Sequence, residues 1–342
     1  MERTEISDYG EFGLIHHLTK NIELQNSSSI LGVGDDAAVI DHFGKQTVVT
    51  TDLLLEGVHF DLAYTPLKHL GYKCVVVNLS DIYAMNATPT QITLSLGISN
   101  RFPVEALEEF YEGVYAACHT YGVDLVGGDT ASSLKGFVIS VTALGEVAAD
   151  KVVKRSGAKK GDLLCCSGSL GAAYLGLLFL EREKKIWLEN PNIQPDLEGE
   201  DYVIGRLLKP EARADMVQFF AAENFKPTAM MDISDGLSSE ILHICEQSGV
   251  GCMLYEEKIP IMEETRRAAY KFELDPTACA LSGGEEYELL FTIDQKDYDN
   301  VLKYDQISVI GHMTEAEQGA RIITKGGSTH AITAQGWNAF RK

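Results

Sequence analysis

The sequence predicts a mixed α/β (α+β) protein in two domains, on three observations. Strand-like and helix-like runs alternate in both halves of the chain. Its 342 residues exceed what a single core of ordinary size holds. Near the middle, residues 151–161 (KVVKRSGAKKG) are basic and glycine-bearing in an otherwise acidic chain, which marks a boundary between domains 1–150 and 151–342.

Residues 47–55 and 91–97 read as strands bounded by polar segments. Residues 104–121 set Leu107, Phe110, Val114 and Cys118 at helical spacing. Leu67, Leu70, Cys74, Val77 and Asp81 keep the same spacing, so 66–85 is read as a helix against the strand preference of Val75, Val76 and Val77. A long strand covers 137–147. The second half opens with a strand at 162–167 and a helix at 168–181, followed by a polar insert at 189–201. Further helices begin at Glu211 and cover 236–247; strands are expected at 228–231, 289–293 and near 307–310. Short-period repeats and low-complexity tracts are absent.

Composition narrows the function. Acidic residues outnumber basic ones by 50 to 29, a net charge of −21 with histidines neutral. A field of that sign repels nucleic acid and anionic membranes, so neither is an expected partner. It also repels nucleotides, so a phosphate substrate would need gathered cations. The seven cysteines form no C-x-x-C pair and mostly sit in apolar runs, where buried, reduced thiols are expected. The opening MERTEISD lacks the basic-then-apolar order of a secretion signal. The longest apolar run, 170–180, falls short of the roughly 20 residues a membrane helix needs. A cytoplasmic protein is the expectation.

Carboxylates recur beside Gly, Thr and Ser: Gly34-Asp35-Asp36-Ala37, Thr50-Thr51-Asp52, Asn78-Leu79-Ser80-Asp81, Gly127-Gly128-Asp129-Thr130, Asp232-Ile233-Ser234-Asp235-Gly236 and Gly283-Gly284-Glu285-Glu286. Singly, each reads as a turn or a helix cap, and Asp235 stands well placed to cap a helix bearing Leu237, Ile241 and Ile244. As a set they read differently. Each ends an apolar run, and strand ends in an α/β sheet meet at one edge, where ligands bind. Several carboxylates gathered there repel one another unless cations intervene. Mg²⁺ meets that need, taking one or two carboxylates with water and phosphate oxygens. Asp129, Asp232, Asp235 and the hydroxyls of Thr50 and Thr51 offer only oxygen. Zinc spacing of His and Cys, an EF-hand loop, a Walker P-loop and the protein-kinase motifs are all missing. Gly32-Val33-Gly34-Asp35-Asp36-Ala37 has a superficial G-x-G-x-x-A form. Its two aspartates would turn negative charge toward a pyrophosphate, which makes sense only with a metal between.

These motifs, with Glu56-Gly57-Val58-His59-Phe60, Arg155-Ser156-Gly157-Ala158 and Ser282-Gly283-Gly284-Glu285-Glu286-Tyr287-Glu288-Leu289, resemble the thiamine-monophosphate kinase family, in the same order over 32–289. The resemblance implies a two-domain fold shared with aminoimidazole-ribonucleotide synthetase. It implies a homodimer paired through the N-terminal sheets, which would join as a sheet or barrel. The implied reaction transfers the γ-phosphoryl group of ATP in line to thiamine monophosphate. Asp36, Asp52, Asp81, Asp129, Asp232 and Asp235 would be Mg²⁺ ligands, helped by Thr50 and Thr51. Gly128, Asp129, Arg155 and Ser234 would contact ATP, with Asp129, Arg155 and Asp232 at the reacting phosphates. His59, Glu285 and Trp337 would contact thiamine monophosphate. One departure is visible: the family usually has Asp where this chain has Glu286, whose role the resemblance leaves open.

Relatives of the same fold make the nearest alternatives. Selenophosphate synthetase is expected to carry a reactive cysteine in an N-terminal glycine-rich segment, whereas the first cysteine here is Cys74, in an apolar run. A hydrogenase-maturation relative is expected to end in cysteine, and this sequence ends WNAFRK. Aminoimidazole-ribonucleotide synthetase also uses ATP and magnesium, but the His59 and Ser282-Gly283-Gly284-Glu285 motifs match the kinase family better. A non-catalytic, cation-loaded scaffold is the alternative of a different class.

Overall fold

The computed structural model describes residues 17–31 and 39–334, so Asp36 and Trp337 lie outside the described residues. The chain divides into two compact units, Met1–Asp150 and Lys151–Lys342.

In the first unit, β1 (Ser29–Leu31) and β2 (Val39–Ile40) form a short antiparallel pair. Then come β3 (Gln46–Leu55), α1 (Leu67–Ala84), β4 (Thr88–Ile98), α2 (Val104–Tyr121), β5 (Asp124–Ser132) and β6 (Val138–Val147). The last four strands named form one sheet in the order β3-β6-β4-β5, in which only β4 and β5 run parallel. α1 is buried on every side from Leu70 to Ser80. A helix buried all round shows little amphipathic pattern, which explains why its valines carried a strand signal. Phe137 centres an aromatic cluster, with ring centroids 5.2 Å from Phe110, 5.3 Å from Phe102 and 6.3 Å from Phe60.

The second unit contains β7 (Leu163–Ser167), α3 (Ala172–Glu189), α4 (Asp201–Leu208), α5 (Ala214–Ala222), β8 (Ala229–Asp232), α6 (Leu237–Ser248), β9 (Gly251–Tyr255), α7 (Glu263–Lys271), α8 (Pro276–Ser282), β10 (Leu289–Ile293), α9 (Tyr298–Val301), β11 (Ile307–Thr314), β12 (Ala320–Ile323) and β13 (Thr329–Ala331). Its sheet has the order β13-β12-β9-β11-β7-β10-β8 and is antiparallel except between β12 and β9. Leu237, Ile241 and Ile244 of α6 are buried with Leu164, Cys166, Met231, Leu290 and Ile310 of the sheet. Each such side chain contributes roughly 1.5–3 kcal/mol by leaving water. α3, α4, α7 and α8 share a second cluster around Phe179.

Boundaries differ from expectation at several elements, among them two in the second unit. The helix placed at 168–181 starts at Ala172 and runs on to Glu189. Its added turns, Arg182 to Leu188, are mostly strong helix formers with no breaker among them. The strand expected near 307–310 continues to Thr314 past an irregular register at Val309/Gly311. All seven cysteines are free and buried, as expected. Among the described residues, no helix is long and apolar enough to cross a membrane.

Candidate active site

In the first unit, β3 and α1 build an oxygen-lined patch. Thr50 Oγ1 donates to Asp81 Oδ2 at 2.6 Å. The Asp52 N–H donates to Asn78 Oδ1 at 3.0 Å, and Asn78 Nδ2 is tied in turn to Cys74 O at 3.0 Å. Asn78 and Asp81 stand three residues apart on α1, so both reach the same strand. β3 is the sheet edge, and Asn78 satisfies an amide that the ladder leaves unpaired. Sequence reasoning gave Asn78 no role; its spacing from Asp81 was the available signal. Burial first, and then the Asp81 charge, push the Asp52 carboxyl up to about 6.

Register sorts the remaining residues by face. Side chains alternate along a strand, so Thr50 and Asp52 share the α1 side while Thr51 lies on the other. Thr51 Oγ1 donates to Val141 O at 2.9 Å and accepts from Thr142 Oγ1 at 3.1 Å. Asp129 is on the opposite edge strand, in the rung Leu53–Ser140–Ser95–Asp129, which puts it on the Thr51 face. Three strand spacings of about 4.8 Å, some ~14 Å in all, separate the ends of such a rung. Two of the acidic motifs in this unit, those of Asp52 and Asp129, therefore do not end their strands. Asp52 and Asp129 are interior to β3 and β5, because a parallel ladder with β4 keeps the Gly127-Gly128-Asp129 segment extended rather than turned. Gly128 is required there: a Cβ would stand 1.8 Å from Leu94 O.

After β3 the chain turns sharply, and His59 Nδ1 accepts the Leu55 N–H at 3.0 Å. The ring proton of neutral His59 then sits on Nε2, a donor on an exposed side chain. Phe60, buried beside Phe137, anchors this turn.

In the second unit, β8 ends in Asp232 and the chain passes through Ile233, Ser234 and Asp235 into α6. Residues 284–288 lie along this passage. The Glu285 N–H donates to Ser234 O at 2.7 Å, the Tyr287 N–H to Ile233 O at 2.9 Å, and the Ile233 N–H to Glu288 O at 2.7 Å. Ser234 and Glu285, far apart in sequence, thus become neighbours. Asp235 does not cap α6 as expected. Gly236, with φ 124°, is the N-cap residue and makes no side-chain bond. The Asp235 N–H is instead held by Glu240 Oε1 at 3.1 Å. Glu240 is buried with no hydrogen bond to its Oε2, and burial pushes its carboxyl up to about 8.

Burial also raises Asp235, against the charges of His243 and Arg155, which places Arg155 within electrostatic reach. The peptide around exposed Arg155 is pinned. Lys154 O accepts the Met230 N–H at 2.9 Å. Ser248 Oγ donates to Arg155 O at 3.4 Å and accepts the Gly157 and Ala158 N–H groups, both at 3.2 Å. This unit therefore gathers Arg155, Asp232, Ser234, Asp235 and Glu285.

The donors suit a hard cation. Thr50, Asp52 and Asp81 in one unit, and Asp232 and Asp235 in the other, present oxygen and neither sulfur nor imidazole. The close like charges of Asp52 and Asp81 are a strain that a cation relieves. Among the described residues, no three His, Cys, Asp or Glu side chains converge to hold an ion. An ion at either place would therefore take further ligands from water or a bound phosphate.

Family models of AIR synthase related proteins match this chain twice, the N-terminal domain over 34–147 and the C-terminal domain over 159–324. The thiamine-monophosphate kinase of Bacillus subtilis is 32% identical over 338 residues, spanning 97% of this chain and 99% of that protein. The enzyme of the same name from Aquifex aeolicus is 34% identical over 335 residues, spanning 98% and 99%. The chain belongs to the thiamine-monophosphate kinase family. It is accordingly a kinase, and the scaffold alternative falls. A solved structure of AaThiL complexed with AMPPCP and TMP is 32% identical, covers 99% of this chain and 100% of its own, and has a TM-score of 0.74. The resemblance carried by the motifs and the expected mixed two-domain fold are both borne out for this thiamine-monophosphate kinase family member.

Proposed function

We propose that this family member transfers the γ-phosphoryl group of ATP to thiamine monophosphate, giving thiamine diphosphate and ADP. The observation that carries the reading is the AaThiL complex, matched over nearly the whole of both chains. We read AMPPCP as ATP with a methylene in place of the β–γ bridging oxygen, and TMP as the phosphate acceptor.

An oxygen of the acceptor phosphate forms the new bond to the γ-phosphorus as the bond to the bridging oxygen breaks in line. A phosphate monoester has its second pKa near 6, so at neutral pH the attacking oxygen is already ionised and no general base is needed. The protein's task is then positioning and charge. Bound Mg²⁺ supplies charge neutralisation between the two polyanions. Asp36, Asp52, Asp81, Asp129, Asp232 and Asp235, with the Thr50 and Thr51 hydroxyls, are the residues proposed to hold it. Register divides them, with Thr50, Asp52 and Asp81 on one side of the first sheet and Thr51 and Asp129 on the other.

Arg155, close to Asp235, offers ATP a planar two-point phosphate contact. Asp129 and Asp232 are the carboxylates we assign to the reacting phosphates, with Gly128 and Ser234 as further proposed ATP contacts. Glu285 sets a carboxylate against the cationic thiazolium, and His59 Nε2–H is a donor to the acceptor phosphate. Trp337 would stack on the acceptor rings. Two copies would pair through the first unit's sheet, whose outer face leaves Val49 60% and Leu53 52% exposed. Free, buried cysteines fit a cytoplasmic setting.

The test is direct. The full chain is incubated with thiamine monophosphate, ATP and Mg²⁺, and the thiamine phosphates are separated by chromatography, with a chelator control. Chelator-sensitive thiamine diphosphate is expected. Folded, ATP-binding protein that forms none overturns the reading and favours a ribonucleotide-synthetase-like substrate.

A further inference from the structure

Glu286, the one visible departure from the family pattern, is fully buried, whereas Glu285 beside it is partly exposed. The backbone divides them. Glu285 and Tyr287 hold φ of 63° and 54°, the left-handed region that side chains other than glycine rarely adopt. Two such residues within three positions are strained, and they persist only where the surroundings over-determine them. The alternation turns Glu286 inward and leaves Glu285 beside Ser234.

The surroundings of Glu286 supply that determination. Its Oε1 accepts the Gly171 N–H at 2.8 Å and the Ala173 N–H at 3.1 Å, at the start of α3, where a carboxylate meets unpaired amides and the positive end of the helix dipole. Arg206 Nη2 reaches Glu286 Oε2 at 3.3 Å, Glu286 O at 2.9 Å and Glu288 Oε1 at 3.0 Å. One guanidinium therefore holds both the side chain and the carbonyl of Glu286, pinning the residue next to Glu285 and the peptide that joins it to Tyr287. Gly284 lies so near Ser234 that a Cβ would stand 2.3 Å from its carbonyl oxygen, so the segment has no room to shift toward the turn.

We infer that Glu286, clamped by Arg206 and the start of α3, is the positioning residue that fixes Glu285 for the acceptor. This rests on the reading that Glu285 contacts thiamine monophosphate. Glu286 touches no substrate; it acts through the Glu285 backbone. The longer side chain of Glu carries the carboxylate to α3 with the strained segment held against Ser234.

The experiment is a double-mutant cycle in the full chain, reading KM for each substrate and thermal unfolding. Glu286→Gln keeps an oxygen for the α3 amides but sets an NH₂ against Arg206. It is expected to raise the KM for thiamine monophosphate by about tenfold or more through misplacement of Glu285, with the KM for ATP unchanged. In a Glu285→Ala background the same change should have no further effect on the acceptor KM. Additive effects, or an equal loss toward both substrates, overturn the inference while leaving Glu285 as a contact. A Glu285→Ala chain with an unchanged acceptor KM overturns the contact reading, and the inference with it. If Glu286→Gln does not fold, Arg206→Lys, which keeps the charge but loses the fork, carries the same cycle with the same expected outcomes.

Discussion

Among the described residues, two carboxylate clusters are neutralised in opposite ways. In the second unit, Glu286 and Glu288 are buried with their own counter-charges. Arg206 bridges both, Arg213 Nη1 bonds Glu288 Oε2, and Ser167 Oγ donates to Glu288 Oε2 at 2.6 Å. In the first unit, Asp52 and Asp81 face each other across β3 and α1, and both burial and the Asp81 charge oppose ionisation of Asp52. A cluster that carries its own arginines is architecture. Burial raises Glu286 to about 7 against the lowering charge of Arg206, whereas at Asp52 the neighbouring Asp81 charge adds to the rise, which poises that carboxyl for a cation from solution.

The contrast can be broken most forcefully at Glu288. Glu288→Ala leaves Arg206 and Arg213 without their shared partner, and is expected to cost about 3–5 kcal/mol of stability. Denaturant unfolding would show this with or without Mg²⁺. Asp52→Asn should act the other way round. Activity should fall on the order of a hundredfold as one proposed cation ligand loses its charge, while the metal-free protein unfolds no earlier than wild type. Early unfolding of Asp52→Asn would erase the distinction between the two clusters.

Acid sharpens the comparison. Asp215 is raised by burial, yet hydrogen bonds from Arg213 and Tyr304, with the Arg213 charge, bring it below the ordinary value on balance. A depressed carboxyl contributes stability that is complete above its unfolded pKa near 4 and is lost as pH falls through the lower folded value. Asp215→Asn should therefore flatten the acid limb of stability and leave the Mg²⁺ dependence of activity alone. The smallest effect is expected at Asn78. Asn78→Ala strands the Asp52 N–H at the sheet edge and should lower stability by about 1 kcal/mol, with a several-fold loss of activity read in the same assay.

How far the sequence could be read follows from the same physics. Local spacing made α2 and the Leu237–Ile241–Ile244 face of α6 legible, because one buried stripe leaves a helical period. It left β5 unread, since Gly127 and Gly128 look like a turn until β4 is beside them. The motif residues were visible as a set, but their faces were not. Only the rung from Leu53 to Asp129 reveals that Thr51 and Asp129 part from Thr50 and Asp52. Asp235 looked like a cap because spacing alone cannot show Gly236 taking that post. The clamp on Glu286 draws on Gly171, Ala173 and Arg206, each some 80 to 115 residues away, so no local pattern announced it.

The most direct measurement is thiamine diphosphate formation as a function of Mg²⁺ concentration, for wild type and Asp52→Asn side by side. The account predicts product from wild type and an activation curve displaced by about tenfold or more toward higher Mg²⁺ in the variant, since one charged ligand is gone. Superimposable curves would contradict the cation role of the β3–α1 patch, and no product from either protein would contradict the proposed reaction itself.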